Sequence, residues 1–100
     1  MARKEYTTLE KAQLDVMRNI FRDLENPNHI AKLIDNLVIT EKQKQLLRLK
    51  YCDTKGNKTI AFRFGVSERW LSTMLDEALL ASYKSLRYNL RNGSLVPKEN

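Results

Sequence analysis

Apolar residues recur at three- and four-residue steps along almost the whole chain, and no stretch alternates apolar with polar as a half-buried strand does. The first stripe, Leu9, Ala12, Val16, Met17, Ile20, Phe21 and Leu24, predicts a helix over about residues 8–25, with Leu14 lying off it. Thr7 and Glu10 form a capping-box pair at its start. Asn26-Pro27 closes this helix and opens the next, because proline disfavours helical geometry before it yet suits a first helical position. The second helix is read over about residues 27–38, with Ile30, Leu33, Ile34, Leu37 and Val38 turned inward. Thr40, with Gln43 in the reciprocal position, caps a third helix that packs through Leu46, Leu47, Leu49 and Tyr51. Asp53 to Lys58 reads as a loop turning at Gly56-Asn57.

A short helix from Thr59 to Phe64 follows, then a break at Gly65, and Ser67 caps a long last helix. Its stripe includes Leu71, Met74, Leu75, Ala78, Leu79, Ser82, Leu86 and Leu90, and reaches Asn92-Gly93, where glycine offers a left-handed C-cap. The expectation is an all-α fold of about five helices in a single domain. An N-terminal helical pair occupies 1–39, a helix-turn-helix with a long C-terminal helix occupies 40–92, and a flexible tail occupies 93–100.

The junction between the last two helices carries the most specific pattern. A helix-turn-helix unit needs a small residue where its helices cross, and Ala61 is placed for it. Four positions on, Gly65 accepts a positive φ, and Val66 plugs the angle behind the turn. Leu71 and Met74 then bury one side of the second helix beside Ile60 and Phe64. Ser67 caps that helix and turns its N-terminal amides outward, which suits a phosphate.

Charge adds location to this pattern. The chain has 18 Lys plus Arg against 12 Asp plus Glu, a net +6. Residues 1–40 contribute nothing to it, whereas Lys42, Lys44, Arg48, Lys50, Lys55, Lys58, Arg63 and Arg69 outweigh three acids between residues 41 and 69. No apolar run nears the ~20 residues that span a bilayer, and the charged N-terminus leads into no secretory h-region. The lone cysteine, Cys52, cannot form an internal disulfide, so a cytoplasmic location is expected. No Gly-rich phosphate loop, metal-ligand cluster or nucleophile–base pairing is present, and His29 has no partner by spacing. Neither enzyme activity, nor a cofactor, nor a metal is therefore expected.

Residues from about 40 to 90 resemble the helix-turn-helix of sigma-factor region 4. The resemblance rests on Leu46-Leu47-Arg48-Leu49-Lys50-Tyr51, on Ile60-Ala61 and Phe64-Gly65-Val66-Ser67-Glu68, and on Ala78-Leu79 and Leu86-Arg87. The same layout is similar to small phage transcriptional regulators of the ArpU and RinA type and to some small terminase subunits. It covers about half the chain, and the Asp53–Lys58 loop is longer and more basic than the usual connection.

Docking of the family's kind implies that the second helix enters the major groove, which is about 12 Å wide. Glu68, Arg69, Ser72, Thr73 and Asp76 then face bases. Phosphate contact falls to Lys42, Lys44, Arg48, Lys55, Lys58, Arg63 and Ser67. Trp70 is expected to pack on the third helix or on the 53–58 loop, with stacking on DNA as the alternative.

The function expected is sequence-specific binding of double-stranded DNA by a phage or mobile-element transcriptional regulator. The competing readings are a small terminase-like or adaptor protein working through protein–protein assembly, and binding of RNA polymerase or another protein. Leu79, Leu80, Tyr83, Leu86, Tyr88 and Leu90 exceed what one stripe buries, which predicts packing against the first helix or a homodimer.

Overall fold

A computed structural model describes residues 5–91, with side chains up to Arg87. The fold is all-α: five helices and one π-helical turn, with no strand among the described residues. The expected C-cap at Gly93, the tail from 93 to 100, and the side chains of Tyr88 and Leu90 lie outside this description.

Helix α1 (Thr8–Leu24) begins with both bonds of the expected capping box. The Glu10 amide donates to Thr7 Oγ1 at 3.1 Å, and the Thr7 amide donates to Glu10 Oε1 at 2.9 Å. Two otherwise orphaned amides are satisfied together. Helix α2 (Pro27–Asn36) starts at the expected proline, and Asn26 caps it by accepting from the Asn28 amide at 2.8 Å. Extended geometry at Leu37 ends it, two residues before the expected limit. The Val38 amide then donates to the Ser85 hydroxyl at 2.9 Å, which turns the Val38 side chain out to solvent instead of inward. Helix α3 (Glu41–Leu47) carries the second capping box, between Thr40 and Gln43.

The continuation of α3 is a π-helical turn, Arg48–Cys52, closed by the Asp53 amide donating to Arg48 O at 2.9 Å. Single π turns occur where the backbone must re-aim side chains. Here Leu49 stays with the α4 side, while Tyr51 and Cys52 reach the α1–α2 side. Tyr51 stacks on Phe21, with ring centroids 4.7 Å apart and planes 14° from parallel. Helix α4 (Asn57–Phe64) starts two residues earlier than expected, and Lys50 Nζ donates to Asn57 Oδ1 at 2.7 Å. Helix α5 (Glu68–Arg91) has 24 residues, or roughly 36 Å at 1.5 Å per residue.

Two apolar clusters share α5. Its first turns, with Leu71 and Leu75, meet Leu46, Ile60 and Ala61. Its later turns, with Ala78, Leu79 and Leu80, meet Leu14, Met17 and Phe21 of α1, and Ile30 and Ile34 of α2. The adjacent pair Leu46 and Leu47 divides between the clusters and ties them together. Helix α1 thus covers Leu80, with Tyr83 and Leu86 packed beside it, so among the described residues these apolar side chains of α5 meet α1.

The face of α1 needs one correction. Leu14, expected off the stripe, is buried with Met17 and Phe21, whereas Leu9 is 66% exposed and Val16 also faces solvent. The expected stripe was wide enough to contain two faces about one residue's rotation apart. The direction in which α5 approaches selects between them.

Candidate nucleic-acid interface

Helices α4 and α5 are joined by the three-residue turn Gly65-Val66-Ser67. Gly65 has φ 67° and ψ 34°, the left-handed conformation expected of it. The Val66 amide donates to Ala61 O at 3.0 Å and the Gly65 amide to Phe62 O at 3.2 Å, the paired bonds of a Schellman C-cap. A Cβ at Gly65 would meet no atom within 4 Å, so the positive φ alone calls for glycine. Val66 packs into the cluster of Ile60, Ala61 and Leu71, which sets the second helix against the first. Ser67 Oγ accepts from the Trp70 amide at 3.0 Å and so serves as the N-cap of α5. Its carbonyl accepts from the Leu71 amide at 2.9 Å.

The five expected base contacts fare differently. Glu68, Arg69 and Ser72 are exposed on the first turns of α5. Thr73 is half-buried, with its hydroxyl 3.5 Å from Arg69 O. Asp76 is engaged within the fold: Arg18 of α1 holds its carboxylate at 2.8 Å, so it braces two helices. Arg69, Ser72, Thr73 and Asp76 form one wall of a cleft whose other wall is Glu5, Tyr6 and Lys11, at the start of α1.

The expected phosphate contacts also divide. Lys55, Lys58 and Arg63 are exposed around α4, and Lys42 is exposed at the start of α3. Lys44 and Arg48 are both engaged by Asp35 of α2. Lys44 Nζ donates to the Asp35 carbonyl at 3.0 Å, and the Arg48 guanidinium pairs with the Asp35 carboxylate. That pairing raises the Arg48 pKa further above its ordinary value. These two cations fasten α2 to α3. A shallow groove lined by Leu49, Asp53 and Phe64 separates Arg48 from Arg63.

Several surface features were not anticipated. Phe62 is 89% exposed on α4, the outcome of a position between Ile60-Ala61 and Phe64 that points away from the cluster. Trp70, expected to pack on α3 or the 53–58 loop, is 44% exposed and joins neither cluster. Lys11 and Tyr6 enter the cleft beside α5 because α1 runs alongside it, a long-range placement with no local signal.

Burial pushes the thiol of Cys52 up from its ordinary pKa, and Asp53 adds to this, so it stays protonated. It donates weakly to Pro27 O at 3.6 Å. Among the described residues no three His, Cys, Asp or Glu side chains group as metal ligands, and no helix is long and apolar enough to cross a membrane. No known protein family matches the chain, and no curated protein sequence or solved structure matches it either.

Proposed function

We propose that this protein binds double-stranded DNA sequence-specifically, with the first turns of α5 in the major groove, and that it regulates transcription. One observation carries the reading. The capped turn at Gly65 leaves Glu68, Arg69 and Ser72 outward on α5, while Lys58 and Arg63 stand exposed on the flanking helix and Lys55 on the loop that leads into it. Base-edge groups and phosphate cations are thus presented by adjoining elements of one rigid unit, the division of labour that duplex readers use. An arginine bonds guanine bidentately and a glutamate accepts from cytosine, so Arg69 and Glu68 supply the discriminating contacts. The resemblance of residues 40–90 to sigma-factor region 4 and to phage regulators of the ArpU and RinA type supports a phage or mobile-element setting.

Selection of bound duplexes from a random pool at two salt concentrations tests this. A recovered motif that persists at the higher salt is the expected result. Recovery of duplexes without any motif would reduce the protein to an architectural binder, and no recovery would remove DNA from the reading.

A second reading, protein–protein assembly as in a small terminase subunit or an adaptor, is favoured by a different surface. Leu9 and Val16 are exposed on α1, and Val16 and Ile20 border an apolar groove against Tyr83 and Leu86 of α5. Homodimerisation through this strip would be seen as a dimer in sedimentation equilibrium that Val16→Asp dissolves. For a two-fold dimer on DNA, half-sites about 34 Å apart follow.

A further inference from the structure

We infer that α1 contributes a second grip on DNA, with Lys11 holding the phosphate strand that borders the groove read by α5; the inference rests on the DNA-binding reading above. Glu5, Tyr6 and Lys11 face Arg69, Ser72 and Thr73 across a cleft of about 680 Å³. That volume is in the range of small-molecule pockets, but those are lined mainly by apolar and aromatic side chains. Among the described residues this cleft is walled by ionic and hydroxyl groups, with Tyr6 the one aromatic. Asp76, on the α5 wall, pairs with Arg18 at 2.8 Å, and Lys11, Arg69 and Glu5 are the other charged groups among the described residues that line the cleft. A polyanion suits that balance better than a small apolar ligand.

Size then says which part of the duplex meets Lys11. A helix with its side chains is about 10–12 Å across, and packed helices lie about 8–10 Å apart axis to axis. A major groove of about 12 Å therefore admits α5 but not α1 beside it. With α5 seated, the start of α1 must rest on the rim of the groove, where phosphates run. Lys11 is exposed there, on the wall that faces the reading helix. The pairing of Arg18 with Asp76 and the burial of Leu14 and Met17 hold α1 at this position. The N-terminal forty residues, neutral in net charge, thus acquire a role through the placement of one lysine.

Glu5 shares the same wall, and this gives the test two signs. Affinity of the full-length chain for a labelled duplex carrying the selected motif, and for a random duplex, is measured by fluorescence anisotropy between about 50 and 200 mM salt. Lys11→Ala weakens both duplexes by on the order of fivefold and makes the log–log salt slope shallower by about 0.9, the signature of one lost phosphate contact. Lys11→Arg keeps wild-type affinity, and Glu5→Gln tightens binding to both duplexes. Thermal melting checks that each variant is folded, which is expected because both side chains are exposed. Wild-type affinity in both Lys11→Ala and Glu5→Gln, alongside a loss in Lys58→Ala, would overturn the grip by α1 and leave DNA binding standing. An effect of Lys11→Ala confined to the selected duplex would also overturn it. Absence of duplex binding by the unmodified chain would remove both proposals together.

Discussion

Arg18 of α1 and Asp76 of α5, 58 residues apart in sequence, are joined by a 2.8 Å ion pair beside the outward face of α5. The pair explains why α5 offers only its first turns to a partner: below it, α1 lies against the helix and covers Leu80. Its direct contribution to stability is small, because the arginine side chain is 47% exposed and the aspartate 22%, and water screens such pairs. Arg18→Ala is expected to cost under about 1 kcal/mol in urea melts. Leu80→Ala, at the buried contact that the pair borders, is expected to cost about 2–4 kcal/mol. Equal losses from the two would mean that the ion pair holds α1 in place as strongly as the apolar contact does.

The choice between the two apolar faces of α1 is open to the same measurement. Leu14 is 3% exposed and Leu9 is 66% exposed. Leu14→Ala is therefore expected to lose about 2–4 kcal/mol, and Leu9→Ala no more than about 0.5 kcal/mol. The reverse order would place the opposite face of α1 against α5.

These cases show what local sequence can and cannot convey. The capping boxes at Thr7 and Thr40, the start at Pro27 and the left-handed Gly65 were all legible, since each depends on residues within one turn. The buried face of α1 was not, because Leu9–Val16 and Leu14–Phe21 are both spaced as helix stripes. The π turn at Arg48–Cys52 was equally hidden. It arises because Leu49 and Tyr51 must serve different clusters, a demand visible only once α1 and α4 are in place. At the candidate interface, the outward positions of Glu68, Arg69 and Ser72 followed from the Gly65 turn. The pairing of Asp76 with Arg18, and of Arg48 with Asp35, follows from helices distant in sequence.

Burial raises the pKa of Tyr51 from its ordinary value, with Arg18 opposing and Asp76 adding to the shift. The Cys52 thiol is raised as well, again chiefly by burial. Each group holds its proton to higher pH when folded than when unfolded. Their contribution is therefore fully present below the unfolded values, about 8.5 for cysteine and about 10 for tyrosine. It is lost as pH rises through the folded values. Urea midpoints should hold near neutrality and fall above about pH 9. Tyr51→Phe retains the ring stacked on Phe21 and removes the tyrosine's share of that fall. An alkaline decline in Tyr51→Phe as steep as in the unmodified chain would show that Tyr51 does not contribute to it.

Separation of phosphate from base contacts gives the sharpest check on the interface. Lys42, Lys55, Lys58 and Arg63 are the exposed cations around α3 and α4, whereas Asp35 engages Lys44 and Arg48. Neutralisation of about four phosphates by the first group sets a log–log salt slope near −3.6 per protomer, to which Lys11 adds its own share. Lys55→Ala with Lys58→Ala should weaken every duplex alike and make the slope shallower by about 1.8. Arg69→Ala should leave affinity for random duplexes nearly unchanged and cost about 1–3 kcal/mol on the selected one, the value of a good bidentate base contact. Asp76→Asn tests whether the pairing with Arg18 withdraws this residue from the bases: it should then leave base preference intact. A change of preferred sequence in Asp76→Asn, or equal losses on both duplexes in Arg69→Ala, would show that another face of the protein does the reading.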